Sequence, residues 1–312
     1  MRLAPSPFPL LLTIFQAVVI AIGYLGLLTG VLEANAAEPD AAESGMKDYV
    51  EFQRGTLPII LTAPHGGRES PDKVADRKEG VLSIDRNSQE LAREINAELK
   101  RRTGREPAMV ISLLHRSKLD PNREMAEATQ GDETAKKAWQ RFHACVDAAK
   151  RQSFQAHRFA FLVDVHGHTH AIKRIELGYG LSRADINKED TQLDASNAAR
   201  RSTYANLSAR NGKNISELIR GPESFGALLS RSGYPVVPSP ADPRPFENDY
   251  YSGSYIVRHH TSKDFPGVDG LQLECCYEGQ RDTADNRAKL ARAVVDALKS
   301  FLENNYDYEF PQ

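Results

Sequence analysis

Two histidines in this sequence stand where a metal site could form, because each comes at the end of a short apolar run. His65 follows residues 57–64, which read Leu-Pro-Ile-Ile-Leu-Thr-Ala-Pro, and two glycines come after it. His166 follows the apolar run 159–163 and lies in Asp164–His170, where histidines occupy alternate positions. Such runs are typical of strands buried on both faces. Ligands of open α/β sheets bind beyond the carboxyl ends of the strands, so the two imidazoles could share one zinc ion.

A catalytic zinc typically takes three protein ligands and one water, so the sequence has to supply a third ligand. Asp85 precedes a predicted helix at 88–102 and is a candidate, although it would also make a good helix N-cap. Glu69 is the competing candidate because it lies close to His65 in the chain. Asp164 fits the carboxylate that commonly orients a metal-bound imidazole, or it caps a turn. The local sequence leaves Asp85 and Glu69 open as alternatives.

A carboxylate inside a predicted strand is the candidate general base. Glu274 lies in the apolar segment 271–276, where a charged group is costly unless it is paired or functional. Near a metal-bound water it would accept a proton. Strand alternation puts Gln272 and Glu274 on one face of this strand, and Leu273 and Cys275 on the other. We therefore expect the face that carries Glu274 to open onto the metal site.

Basic side chains in the segment 115–123 are the candidate substrate ligands. Arg116 and Arg123 could form a fork around a carboxylate, since a guanidinium presents a planar set of donors of matching geometry. A charged surface loop is the simpler interpretation of such a run. Asn122 lies between the two arginines.

Taken in order, these motifs resemble those of the N-formylglutamate amidohydrolases, which belong to the zinc exopeptidase or carboxypeptidase-like superfamily. The matching segments, which span roughly residues 59–280, are Pro-His-Gly-Gly at 64–67, Asp85, Arg116 with Asp-Pro-Asn-Arg at 120–123, Asp-Val-His at 164–166, the polar loop 248–255 and Leu-Gln-Leu-Glu at 271–274. The chain departs from the family pattern at Gly167, where the family has serine, and at Ser254, where the family has glycine.

The resemblance implies a role for each matching residue. It makes His65, Asp85 and His166 the ligands of one zinc ion. It makes Glu274 and Arg116 catalytic, with Asn122 and Arg123 binding the substrate; together these are the seven predicted site residues. The expected reaction is hydrolysis of an amide bond in a small N-acyl amino acid or peptide-like carboxylate substrate.

Two other classes of function remain open. One is an exported protein that binds a metal or a carboxylate on a hydrolase fold without catalysis. The other is a metallophosphoesterase, which would need enough Asp and Asn ligands for two metal ions. The conspicuous motifs do not supply a clear second set.

The remaining pattern predicts an α/β fold. Strand-like and helical segments alternate from residue 57 to residue 302, which favours a three-layer structure with a mixed, mostly parallel sheet and helices on both faces. The segment 182–212 is polar and is expected to be rich in loops. The resemblance implies the same zinc-exopeptidase-like or phosphorylase-hydrolase-like architecture.

The N-terminal segment predicts export. Residues 8–32 are almost uninterruptedly apolar, and Ala-Asn-Ala at 34–36 offers a cleavage site, which is typical of a signal peptide or a membrane anchor. We expect 1–36 to be this leader, 37–48 a linker and 49–312 the catalytic domain, located in the periplasm, secreted or anchored to the membrane.

Composition sets further bounds. With a net charge of −2, the chain has no basic footprint for nucleic acid. Its three cysteines, Cys145, Cys275 and Cys276, form no C-x-x-C pair, so neither a disulfide framework nor a cysteine zinc site is expected.

Overall fold

A mixed sheet of eight strands organises the residues that the computed structural model describes, which are 45–261 and 266–311. Its order is β1-β2-β4-β3-β5-β8-β6-β7. Strands β4, β3, β5 and β8 are parallel neighbours, β6 and β7 are parallel to each other, and the remaining pairs are antiparallel. The strands are β1 Gly45–Lys47, β2 Val50–Gln53, β3 Ile59–Ala63, β4 Ala108–Ser112, β5 Ala160–His168, β6 Ile175–Gly178, β7 Val236–Val237 and β8 Val268–Cys276.

Helices cover both faces of this sheet, which confirms the predicted α/β class. They are α1 Ser88–Thr103, α2 Met125–Thr129, α3 Glu133–His157, α4 Arg183–Ile186, α5 Asp190–Ala195, α6 Ala198–Arg201, α7 Ala205–Asn211, α8 Ile215–Arg220, α9 Phe225–Ser230, α10 Tyr255–His260 and α11 Ala284–Tyr306. An irregular helical turn, Tyr277–Arg281, joins β8 to α11.

The side chains of the central strands pack alternately in two hydrophobic cores, because neighbouring residues of a strand point to opposite faces of the sheet. On β5, Phe161 and Val163 pack in the core that contains α1 and α11, whereas Leu162 packs in the core that contains α3 and α10. The later residues Asp164 and His166 lie on the same face as Leu162. The polar end of β5 therefore continues the face that α3 and α10 cover.

One segment differs from the sequence-based expectations. The segment 182–212, expected to be rich in loops, contains the four short helices α4 to α7. These helices have four to seven residues, too few for an amphipathic repeat to be visible, and tertiary contacts such as the Arg201–Asp185 ion pair hold them. Strand β1 falls inside 37–48, the segment predicted to be a linker, and pairs with β2.

The predicted leader, 1–36, lies outside the described residues, and the domain bounds remain a prediction. Within the part of the chain that the structure describes, no helix combines the length and the apolar character that crossing a membrane requires. Cys145, Cys275 and Cys276 are all buried.

Candidate metal centre and active site

The ends of β3 and β5 bring His65 and His166 together. The two strands are parallel neighbours, with Thr62 in register with Asp164, so their carboxyl ends meet at one edge of the sheet. The Nδ1 atoms of His65 and His166 are 3.0 Å apart. Asp85 reaches the same point from the loop before α1, and its Oδ2 lies 3.3 Å from His65 Nδ1 and 3.1 Å from His166 Nδ1. All three side chains are buried.

The spacing of these three atoms fits a tetrahedral metal ion. Zinc bonds to nitrogen and oxygen of about 2.0–2.2 Å require neighbouring ligand atoms to lie roughly 3.3–3.5 Å apart. The three observed distances, 3.0, 3.1 and 3.3 Å, are close to that edge length. One carboxylate oxygen and two imidazole nitrogens that face one another in a buried chamber form a donor set that a cation would stabilise.

Two carboxylates fix the orientation of the histidines and leave both Nδ1 atoms directed at the centre. His65 donates from Nε2 to Asp120 Oδ1 at 2.6 Å, and His166 donates from Nε2 to Asp164 Oδ2 at 2.8 Å. A hydrogen bond from the second ring nitrogen to a carboxylate is the usual arrangement around a metal-bound histidine. Thr62 donates to the other oxygen of Asp164 at 2.6 Å, which holds that carboxylate in place.

The electrostatics of the cluster also favour a cation. Burial alone would raise the pKa of Asp85, but His65 and His166 lower it well below its usual value. Burial would likewise lower the pKa of His166, but Asp164 and Asp85 raise it well above its usual value. Positive charge at this point is therefore strongly stabilised by the surrounding carboxylates.

Arg116 does not form the open fork around a substrate carboxylate that the sequence predicts, because it is paired with two carboxylates of the protein. Its Nη1 donates to Asp85 Oδ1 at 3.3 Å, and its Nε donates to Asp120 Oδ2 at 3.0 Å. Arg116 thus holds in place both Asp85, a candidate metal ligand, and Asp120, the carboxylate that orients His65. It also lines a cavity of 50 Å³ that His65, Asp85 and His166 share, which we call the metal chamber. Among the contacts of the described residues, its two hydrogen bonds leave the Nη2 group and the second N–H of Nη1 for a substrate.

The other two predicted substrate residues also line this chamber. Asn122 is buried, its Oδ1 accepts a hydrogen bond from the backbone N–H of Ile256 at 2.8 Å, and its Nδ2 lies 3.3 Å from Nε2 of His166. Arg123 forms an ion pair with Glu127 at 2.9 Å and is partly exposed. Arg123 is therefore the more accessible of the two arginines.

Glu274 opens onto the chamber, on the face of β8 that strand alternation predicts. Leu273 and Cys275 pack in the core, whereas Gln272 and Glu274 line the chamber. Oε1 of Glu274 accepts from Gln272 Nε2 at 2.7 Å, and its buried Oε2 has no hydrogen-bond partner among the described residues. Burial raises the pKa of Glu274 to about 8, against the opposing effect of His166.

Glu274 belongs to a row of three ionisable residues that runs across the sheet. His166 on β5, Glu274 on β8 and Glu176 on β6 are direct partners in the strand register. Paired residues on neighbouring strands point to the same face, so the three side chains share one surface. The sequence alone did not indicate that Glu176 joins this row.

The competing ligand Glu69 is exposed and does not join the three converging residues. His168 and His170 approach Glu176 closely enough to form a second potential ligand group. However, His168 donates from Nε2 to the carbonyl of Arg174 at 2.8 Å, and its Nδ1 accepts from the backbone N–H of His170 at 3.2 Å. Both ring nitrogens of His168 are thus already used.

Sequence analysis missed Asp120 and Arg281. Asp120 stands in the quoted motif at 120–123, but nothing local distinguishes it as the partner of His65. Arg281 is buried, and its guanidinium donates to the carbonyls of Cys275 at 3.0 Å, of Arg86 and of His168 at 3.4 Å. It joins the ends of β5 and β8 to the loop that carries Asp85.

A larger cleft of 500 Å³ adjoins the metal chamber. Asp85, Arg116, Gly167 and Tyr251 line both spaces, so they are continuous. A volume of this size is typical of sites for small molecules.

No family model and no curated protein matches the sequence. Solved structures to which the chain is similar include an N-formylglutamate amidohydrolase from Ralstonia eutropha JMP134, at 14% identity and a TM-score of 0.48, covering 83% of this chain and 98% of that one. Another is a gene product of Agrobacterium tumefaciens, at 16% identity and a TM-score of 0.48, covering 81% of this chain and 94% of that one. A third is an N-acetylmuramyl-L-alanine amidase from Mycobacterium smegmatis, at 14% identity and a TM-score of 0.36, covering 79% of this chain and 97% of that one. The first of these has the name of the family that the sequence motifs resemble.

Proposed function

We propose that this chain is a zinc-dependent amidohydrolase that cleaves the amide bond of a small N-acyl amino acid or peptide-like carboxylate substrate. The observation that carries the proposal is the convergence of His65 Nδ1, His166 Nδ1 and Asp85 Oδ2 at 3.0–3.3 Å. Glu274, with a buried oxygen that has no partner among the described residues, lines the same chamber. The resemblance of the motifs to N-formylglutamate amidohydrolases agrees with this arrangement.

The chemistry divides between the ion and the protein. When bound, zinc supplies Lewis-acid chemistry: it lowers the pKa of a water to about 7 and polarises a carbonyl. Oε2 of Glu274 accepts the proton of the attacking water, and Glu274 then delivers that proton to the nitrogen of the leaving amine. Arg116 Nη2 stabilises the negative charge that develops on the carbonyl oxygen. Asn122 Nδ2 and the partly exposed Arg123 bind the substrate carboxylate.

Zinc analysis of the purified chain, together with hydrolysis of a panel of N-acyl amino acids, tests this proposal. We expect one zinc per chain and release of the free amino acid. His166→Ala should lose both zinc and activity, whereas His157→Ala, a substitution outside the chamber, should keep both. Wild-type protein without zinc and without hydrolysis of any substrate in the panel would contradict the proposal.

The second candidate is an exported binding protein that holds a metal or a carboxylate without catalysis. Such a protein would bind zinc and substrate, yet would show no turnover for Glu274→Gln to reduce. In both cases we propose that the domain lies outside the cytoplasm, released from its leader or attached to the membrane through residues 8–32. Immunodetection in fractionated cells tests this location, and full-length protein in the cytoplasm would contradict it.

A further inference from the structure

Exposed apolar side chains are concentrated around the opening of the site. Six large hydrophobic residues are exposed in the described part of the chain. Three of them, Val81, Ile172 and Tyr251, line the cleft or the pocket next to it. Phe246 directly precedes Glu247, which lines that pocket, and we call these four residues the apolar rim. Patches of this kind mark binding sites more often than scattered single residues do.

The rim is continuous with the metal chamber. Val81 and Tyr251 line both the chamber and the 500 Å³ cleft. The ring of Tyr251 stacks on that of His170, with centroids 4.6 Å apart. His170 also lines a neighbouring pocket of 200 Å³ together with Ile172 and Glu247, the residue after Phe246. A ligand group on the rim can therefore belong to the molecule whose amide lies at the metal.

The protein holds Phe246 in its exposed position. Phe246 is 55% exposed, and its backbone has a φ of 52°, a left-handed conformation that is unfavourable for a bulky residue. The side chain of Asn187 accepts from the N–H of Phe246 at 2.9 Å and donates to its carbonyl at 3.0 Å. Arg183 donates to the next carbonyl, of Glu247, at 3.2 Å. Strained conformations of this kind persist when the surroundings fix them, and they cluster at ligand sites.

We propose that the apolar rim binds the hydrocarbon chain of an N-acyl amino acid whose acyl group is longer than formyl or acetyl. This inference rests on the proposed function and adds the substrate class. The metal chamber, at 50 Å³, has room for little more than the reacting groups, so a longer chain must extend outward over Val81 and Tyr251 towards Ile172 and Phe246. There it would cover apolar surface that water now contacts.

A chain-length series tests this proposal. N-acetyl, N-butanoyl and N-octanoyl derivatives of one amino acid are compared by kcat/KM. Full burial of one methylene is worth about fourfold, and on a rim that is open on one side we expect about twofold, or roughly 50-fold from acetyl to octanoyl. Phe246→Ser should reduce this ratio about tenfold. Met46→Ser removes an exposed apolar side chain on β1, the edge strand at the opposite end of the sheet from β6 and β7, and should leave the ratio unchanged.

Failure of the rim can be distinguished from failure of the proposed function. Hydrolysis with no dependence on chain length would overturn the rim and leave the amidohydrolase intact. If no derivative is hydrolysed, calorimetry of octanoate and acetate with the zinc-loaded protein replaces the kinetic readout. If octanoate then binds more tightly than acetate, and Phe246→Ser abolishes this difference, the result would support binding at the rim without supporting the amidohydrolase.

The same protein samples test the other occupants of an apolar surface. Wild-type binding to phosphatidylcholine vesicles that is lost in Phe246→Ser, without any effect of acyl length, would assign the rim to a membrane. A concentration-dependent dimer that Phe246→Ser dissociates would assign it to a second copy of the chain. Either result would overturn the proposal.

Discussion

The guanidinium of Arg281 lies directly against the α-carbon of Gly167. A Cβ added at residue 167 would stand 2.0 Å from Cζ of Arg281 and 2.2 Å from its Nη2. Gly167 follows His166, and its N–H donates to Oδ2 of Asp85 at 3.1 Å. The contact therefore couples a buried arginine to two of the three candidate metal ligands. The contact leaves no room for a side chain at residue 167 unless Arg281 moves.

We expect Gly167→Ser to weaken zinc binding about 10- to 100-fold, the usual effect of disturbing groups that orient metal ligands. The new side chain must displace Arg281, which three backbone carbonyls hold in place. Competition with a chelator measures the zinc affinity. Adding Arg281→Ala to Gly167→Ser should recover part of the loss. Wild-type affinity in Gly167→Ser would show that the inferred collision does not occur.

Asp120→Asn should also weaken zinc binding, by about tenfold, because a neutral amide polarises the imidazole of His65 less than a carboxylate does. An asparagine Oδ1 can still accept the hydrogen bond from Nε2, so the fold should survive, which circular dichroism checks. Asp76→Asn removes an exposed carboxylate outside the chamber and is the matched control. If both variants bind zinc equally well, Asp120 does not support His65 in the predicted way.

Glu274→Gln should lower turnover by about 10²–10⁴-fold while zinc content hardly changes, because Glu274 is proposed as a base and not as a ligand. Steady-state kinetics and metal analysis on the same samples check the two parts. Glu133→Gln, an exposed change at the start of α3 that lines neither the chamber nor the cleft, is the control. Loss of zinc in Glu274→Gln equal to that in His166→Ala would make Glu274 a ligand instead.

Acid should destabilise the protein through a buried histidine pair. His143 donates from Nε2 to the carbonyl of Pro121 at 3.1 Å and accepts on Nδ1 from His260 Nε2 at 2.7 Å. Burial lowers the pKa of His260 to about 4, with Lys150 adding to the effect and Asp147 opposing it. Burial, with His260 adding to it, also lowers the pKa of His143 well below its usual value.

The direction of the pH effect follows from these shifts. A histidine with a depressed pKa in the folded state binds fewer protons there than in the unfolded chain, so stability is present above about pH 6.5 and is lost as the pH falls towards 4. From His260 alone we expect about 2–3 kcal/mol less stability at pH 4.5 than at pH 7.5. Urea unfolding at the two pH values measures this difference. His260→Gln should make it smaller, and an unchanged difference would exclude His260 as the cause.

Much of the architecture could be predicted from local patterns. The apolar runs 57–64 and 159–163 predicted the central strands β3 and β5, and the helical spacing in 88–102 predicted α1. These predictions are possible because a periodic pattern of burial requires a periodic pattern of apolar residues. The short helices of 182–212 could not be predicted, since their stability comes from contacts such as Arg201 with Asp185. Tertiary packing often outweighs weak local propensity.

The sequence by itself determined the fold class and the set of residues that are chemically able to bind a metal, because strand-end histidines and a carboxylate in an apolar strand are visible without coordinates. Only the tertiary structure decided how these residues are arranged. It placed Asp85, and not Glu69, beside His65 and His166, and it paired Arg116 with two carboxylates. It also brought Asp120 to His65 and Arg281 to the carbonyl of His168. The physical reason is that such choices depend on distances between residues 20 to more than 100 positions apart in the chain, and a local pattern does not encode those distances.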